Sequence, residues 1–307
     1  MTAERQRLPR ALLAPRHWPT WLGLGLLWAL TQCPTAWRHA LGRAIGRLAW
    51  RGNRKRREVT LVNLRLCFPH WDEARRVAVG RAHFAAMGRS LLDYGLIWFA
   101  SDRRLLDHLL VEGWEHVEAA RAAGRNIILH GAHSPGLDFG VTAIGARAPG
   151  VGPYHALKNP VVDWFMLRGR RRFGGELFER GDGMLAYTRA LRQGKLLVIF
   201  ADEDYGPERS VFAPFFGQPK ATLPMLARLA RLADAAVLPF MTGWDAASDR
   251  YLTRIAPPLA DFPSGDAARD AAALNAGLEA LIDDWPAEYL WTLKLFRTRP
   301  DGGRVYP

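Results

Sequence analysis

Apolar and polar positions along the chain follow two rhythms. Residues 58 to 100 are helical in pattern: Asp72-Glu73 open a run just after Pro69 that continues to Trp98 and is rich in Ala, Leu and Arg. From Leu109 the periods shorten. Leu109 to Glu112 reads as a strand, Trp114 to Ala123 as a helix, Asn126 to Leu129 as a strand and Leu137 to Gly145 as a helix. Ile127 to Leu129 is a short apolar run between the Gly124 breaker and a group of small, turn-forming residues, the pattern of a buried strand. Further strands are expected at Gly152 to Leu157, Glu176 to Phe178, Lys195 to Phe200 and Ala236 to Phe240, with helices between them. Such alternation predicts an α/β class: a layered domain with a largely parallel central sheet flanked by helices.

The N-terminus departs from this pattern. From His17 to Trp37 no residue carries a formal charge, and tryptophans stand near the ends of its apolar part, as suits a membrane interface. As a helix the stretch would be roughly 31 Å long, barely enough to cross a bilayer, and Pro34 interrupts it. It is therefore expected to span the membrane as a transmembrane helix or to lie in it. Arg38, Arg43, Arg47, Arg51 and Arg54 to Arg57 follow at once, which argues against a cleaved signal peptide. Leu41, Ile45 and Leu48 share one helical face while Arg43 and Arg47 lie on another, a basic amphipathic helix suited to anionic lipid; a solvated helix packed on the domain is the alternative. The chain is accordingly divided into residues 1–57, a membrane anchor with a basic helix, and residues 58–307, the α/β domain.

Composition adds two constraints. With Lys+Arg 42 against Asp+Glu 30 the formal charge is +12, which points to acidic partners: nucleic acid, anionic lipid or an acidic protein. The sign does not choose among them; the N-terminus favours lipid, and no nucleic acid is expected. The two cysteines, Cys33 and Cys67, lack metal-site spacing, so no disulfide framework and no structural zinc is indicated.

Three clusters carry candidate chemistry at places where an α/β sheet binds ligands, beyond the carboxyl ends of strands. In the first, His133 follows a predicted strand and Asp138 stands five residues on. Within a regular helix residues five apart point about 140° away from each other, but Pro135 and Gly136 favour a bend, placing His133 before the helix and Asp138 in its first turns. A carboxylate there would fix the imidazole tautomer and leave the other nitrogen as a general base. A His and an acid at this spacing also arise by chance, commonly as surface or N-cap residues. The second cluster sets four arginines, Arg168, Arg170, Arg171 and Arg172, at the end of a predicted helix. They either complement the helix dipole or grip an anionic ligand. In the third, a strand runs into Asp202, Glu203 and Asp204, which could pair with the arginines or orient a loop; no metal site is read there and no cofactor is expected.

In its ordered motifs the chain resembles the late acyltransferases of lipid A biosynthesis, the lauroyl/myristoyl acyltransferase family, a branch of the lysophospholipid acyltransferase-like superfamily marked by His-x4-Asp/Glu. The matching stretches run nearly end to end: Pro15-Arg-His-Trp-Pro-Thr-Trp-Leu-Gly-Leu-Gly25, Asn63-Leu-Arg-Leu-Cys-Phe-Pro69, His133-x4-Asp138, Arg168-Gly-Arg170, Asp202-Glu-Asp-Tyr-Gly206, Phe212-Ala-Pro-Phe-Phe216, Glu288-Tyr-Leu-Trp291 and Phe296-Arg-Thr-Arg-Pro300. The resemblance implies that His133 and Asp138 are a catalytic dyad, that Arg170, with Arg168 and Arg172 beside it, binds substrate or stabilises charge, and that Asp202 is a further site residue. It also implies transfer of a fatty acyl chain from acyl carrier protein to a hydroxyl on an acyl chain of a lipid A precursor of the Kdo-lipid IVA type. The setting would be an anionic membrane surface, the bacterial inner membrane, with the catalytic domain facing the cytoplasm. Two departures stand out: Asp138 where the family often has Glu, and Thr292-Leu-Lys-Leu295 where it commonly has His-Arg-Arg. The rival readings are transfer to another lysolipid or aminolipid, a lipid esterase or thioesterase using the same His on water, and a non-enzymatic membrane-binding module. Ser134 lacks the Gly-x-Ser-x-Gly elbow a serine hydrolase would need.

Overall fold

In the computed structural model, which describes residues 8–179 and 183–307, four long helices precede the first strand: α1 (Trp18–Gln32), α2 (Thr35–Gly52), α3 (Arg54–Cys67) and α4 (Glu73–Phe99). Their boundaries are chemical. Pro34 separates α1 from α2, the Asn53 side chain accepts from Arg56 N to cap α3, and Asp72 accepts from Arg75 N to cap α4. Glycines let α2 and α4 approach closely: a Cβ on Gly46 would lie 2.3 Å from the Phe84 carbonyl oxygen, and one on Gly88 2.1 Å from that of Gly42.

The N-terminal helices differ from expectation in three respects. Among the described residues no helix is long and apolar enough to cross a membrane, and the uncharged stretch 17 to 37 is divided at Pro34 between α1 and α2. One side of α1 still presents Trp18, Leu22 and Leu26, four residues apart, at 63%, 78% and 62% exposure, and α2 adds exposed Trp37 and Leu48. Arg38, the first residue of the basic run, is buried: its Nε donates to Asp93 Oδ1 at 3.0 Å, while Asp93 Oδ2 accepts from Tyr251 and meets His39 Nε2. The pattern could not separate it from Arg43 and Arg47, which are exposed. Finally, residue 57 lies inside α3, which is clasped to the C-terminal segment: Arg56 donates to the Thr292 carbonyl, and Asn63 Nδ2 to those of Trp291 and Leu293.

The remaining elements follow in the order α5 (Asp102–Leu106), β1 (Leu109–Glu112), α6 (Trp114–Ala122), β2 (Asn126–Gly131), α7 (Leu137–Gly145), β3 (Gly150–Tyr154), α8 (Pro160–Arg170), β4 (Glu176–Glu179), α9 (Gly183–Arg192), β5 (Leu196–Ile199), β6 (Val211–Phe215), β7 (Gln218–Thr222), α10 (Met225–Ala233), β8 (Ala235–Asp245), β9 (Arg250–Ile255) and α11 (Ala267–Asp284). Seven strands form one sheet in the order β1-β9-β8-β2-β5-β3-β4, parallel at every pairing except β8 with β9; β6 and β7 form a separate hairpin. The expected layered α/β domain with a largely parallel sheet is what forms. Alternate residues of β2 serve opposite cores. Ile128 packs with Leu197 and Leu229, while Ile127 and Leu129 pack with Val198 and Ile144, so the strand is apolar on both faces as a covered parallel strand must be. The strand expected at Gly152 to Leu157 begins earlier, at Gly150, and ends at Tyr154. The β6–β7 hairpin and β9 had no counterpart in the pattern: prolines interrupt the former and Arg250 and Arg254 the latter.

Candidate active site

Register positions the central pair. β2 and β5 run parallel with His130 level with Ile199, so three residues beyond each, past the strand ends, His133 and Asp202 stand side by side. His133 N donates to Asp202 Oδ2 at 2.9 Å, and its ring Nδ1 makes a short contact with Asp202 Oδ1. A buried carboxylate held in this way fixes the imidazole with its proton on Nδ1 and leaves Nε2 free to accept one. Burial opposes the charges on both groups, but pairing with His133 holds the Asp202 carboxyl well below the usual carboxylate range. On His133 the opposing burial is outweighed by Asp202 and then by Glu203, so the imidazole titrates above its ordinary value. His130, three residues earlier, is a different case: burial pushes it down to about 4, which keeps it neutral.

Asp138 lies in the first turn of α7, as expected, but its oxygens are engaged elsewhere. Oδ1 accepts from Arg170 Nε at 2.6 Å and Oδ2 from the Tyr94 hydroxyl at 2.5 Å. The direct partner of the imidazole is therefore Asp202, not Asp138. The reason is topological: the α7 turn aims Asp138 at α4 and α8, whereas parallel pairing delivers Asp202 to His133. Arg170 and Asp138 form a half-buried ion pair that raises the guanidinium's affinity for its proton against the cost of burial.

His133, Arg170 and Glu203 share a cavity of about 780 Å³. Its apolar lining comes from one face of α7, Val141 and Ile144, and from Val151 and Val198 on β3 and β5. β3 pairs with β5 only at Gly150 and Val151 and continues beside β4 alone, so the two strands part where the cavity lies. A titratable group set in an apolar-lined cleft of this size is the usual form of a small-molecule or lipid site.

Residues 6–298 match the family model of the bacterial lipid A biosynthesis acyltransferases. The chain belongs to that family. It is 36% identical over 293 residues to the lipid A biosynthesis lauroyltransferase of Escherichia coli (strain K12), covering 95% of each chain. It is 32% identical over 297 residues to the palmitoleoyltransferase of the same organism, covering 96% of each. A lipid A biosynthesis acyltransferase of Haemophilus influenzae is 35% identical, over 96% of this chain and 92% of its own.

In this acyltransferase the four clustered arginines part company. Arg172 binds Asp102 and donates to the carbonyls of Ile97 and Ala100, so it closes the C-terminal end of α4. Arg168 is exposed over the Trp164 ring. Arg170 alone pairs with Asp138 and reaches the cavity. The acid run divides in the same way: Asp202 holds His133, while Asp204 accepts from Thr298 N and Oγ1 and fastens the C-terminal segment. Ser134 is buried, and its hydroxyl has no partner among the described residues, including His133. Tyr94 was missed by sequence reasoning, and Glu203 was read only as a member of the acid run, without a role of its own. Tyr94 lies on a helix far upstream, and Glu203 is hidden in a run of acids.

Lysine at position 170 would keep the charge but lose the planar fork that holds Asp138 while reaching the cavity. Arg170→Lys is expected to lower kcat/KM by roughly tenfold or more with little change in thermal stability. Steady-state kinetics and a melting curve of the same preparation check this, and lysine serving as well as arginine would reduce Arg170 to a source of diffuse potential.

Proposed function

We propose that this acyltransferase moves a fatty acyl chain from an acyl carrier protein thioester to a hydroxyl on an acyl chain of a lipid A precursor of the Kdo-lipid IVA type. The observation that carries the reading is an imidazole fixed at Nδ1 and free at Nε2 in a largely apolar cavity large enough for a fatty chain. A chain hydroxyl is a weak nucleophile. Nε2 of His133 removes its proton as the oxygen attacks the thioester carbonyl carbon; the carbon–sulfur bond then breaks, and the departing thiolate takes the proton from the imidazolium. No acyl-enzyme is required. Asp202 stabilises the imidazolium, and Arg170, held by Asp138, supplies positive charge in the same cavity where the oxyanion develops. Asp138 thus acts in catalysis through Arg170.

The exposed apolar side of α1, with Arg43 and Arg47 on α2, supports docking on an anionic bilayer, which would bring the cavity to its lipid substrate at the cytoplasmic face of the inner membrane. The net charge of +12 suits an acidic protein donor.

The test is transfer in detergent micelles from acyl carrier protein and from coenzyme A thioesters, with mass spectrometry of the lipid. The expected product is the precursor heavier by one acyl group. Between 0.1 M and 1 M salt the Debye length falls from about 10 Å to about 3 Å, so kcat/KM should drop steeply for the protein donor and much less for the small one. Free fatty acid as the only product would reject acyl transfer in favour of a thioesterase. Equal salt sensitivity for the two donors would remove the basic docking surface from the reading.

A further inference from the structure

The imidazole of His133 has a second acidic neighbour. Glu203 Oε1 stands 3.7 Å from Nε2, the nitrogen left free by Asp202. That distance is too long for a hydrogen bond, so the lone pair of Nε2 stays open to an acceptor hydroxyl, yet it is well within the range at which a full charge is felt. The three consecutive acids therefore do separate work. The Asp202 side chain is 1% exposed and the Glu203 side chain 37%; Asp204 is committed to Thr298. Glu203 lines the cavity, and among the described residues no lysine or arginine lies within ion-pair distance of it. Beside the nitrogen read as the base, such a carboxylate has one evident charge to serve, the one that forms on that ring.

We propose that Glu203 is a charge-stabilising residue of the reaction: it holds the imidazolium formed when Nε2 takes the acceptor's hydroxyl proton, until that proton passes to the departing thiolate. The inference rests on the reading of His133 as general base. Glu203 itself is unchanged at the end of the cycle; its contribution is to make Nε2 a stronger base than Asp202 alone would. The charged groups facing the ring are Asp202 and Glu203 at the end of β5 and Arg170 on α8, which opposes them; His130 on β2 is neutral. The direction of the His133 shift agrees, because Glu203 is among the groups that raise it. Since the base works only when deprotonated, its activity rises as pH climbs through the His133 midpoint, and Glu203 places that rise at higher pH.

The test uses the full chain in micelles. Glu203→Gln keeps the shape and removes the charge. The ring signals of His133, assigned by their loss in His133→Ala, should titrate at lower pH by a few tenths of a unit to about one unit, the size expected for one unit charge at this range. The acid limb of kcat/KM should move with them, the plateau should fall several-fold, and Glu203→Asp should restore part of both. A group with a merely structural role would lower activity without moving the midpoint. An unchanged His133 midpoint in Glu203→Gln overturns the proposal whatever the activity, as does a moved midpoint with an unmoved acid limb. Full activity in His133→Ala would instead overturn the general-base reading, with the measured coupling of Glu203 to the ring left standing.

Discussion

His133→Ala is expected to lower the rate of acyl transfer by at least about 100-fold, the usual contribution of a general base, while the protein stays folded and bound to micelles. The two acids then separate by their effect on the ring. Asp202→Asn removes the charge bonded to Nδ1 and should lose activity to a similar degree, on the order of 100-fold or more, because the tautomer is no longer fixed. It should also carry the His133 midpoint down, since Asp202 is the principal group raising it. Asp138→Ala should be impaired as well, by at least about 100-fold, but by freeing Arg170, and the His133 midpoint should move less than in Asp202→Asn. Rates at saturating donor together with ring titrations of the three variants decide the matter. A midpoint that moves in Asp138→Ala and not in Asp202→Asn would return the orienting role to the acid of the His-x4-Asp pair.

The second large effect concerns stability. Asp93→Ala leaves Arg38, 1% exposed, as a buried charge without its counter-ion. Breaking such a pair from one side costs about 3–5 kcal/mol, and for a chain of this size each kcal/mol corresponds to roughly 2–4 °C in Tm. A fall of about 10 °C is expected in thermal unfolding. The double variant Arg38→Met with Asp93→Asn, which removes both charges and nearly keeps the volume of each side chain, should recover much of it. In the folded protein burial works against the Asp93 carboxylate, yet His39 and Arg38 prevail and hold its pKa below the ordinary value. A depressed carboxyl contributes stability that is present above its unfolded pKa and lost as pH falls through its folded one. Acidification should therefore destabilise the native protein more than the Arg38→Met/Asp93→Asn variant.

Much of this molecule is legible in the sequence, and the remainder follows a common physical reason. The period of apolar residues marks β2 and α7 closely, and with them the turn that carries His133, because local propensity and burial agree there. Asp202 is legible as an acid at a strand end. Its pairing with His133 is not, because that depends on β2 and β5 being neighbours at one register, a fact of tertiary assembly. The same limit explains Arg38. Its neighbours Arg43 and Arg47 are exposed, and the arrival of Asp93 from α4, itself held by Tyr251, supplies the counter-ion that makes burial of a guanidinium tolerable. Arg172 reads as one of four equivalent arginines until the carbonyls at the end of α4 are seen to occupy it. The β6–β7 hairpin carries a buried lysine and two prolines, residues that strand patterns exclude.

The clasp between α3 and the C-terminal segment bears on how the protein is made. Asn63 binds the carbonyl of Trp291, 228 positions later in the chain. At about 5–20 residues per second of synthesis, α3 leaves the ribosome roughly 10–50 s before the segment it must hold exists. For that interval α1 has been synthesised and, in the proposed docking mode, its apolar side can meet a bilayer, whereas Asp204 and Thr298 have yet to meet. The N-terminal helices thus have time to settle on a membrane well before the catalytic domain can close, so nascent chains interrupted before Trp291 should be found on membranes yet be readily cut by protease.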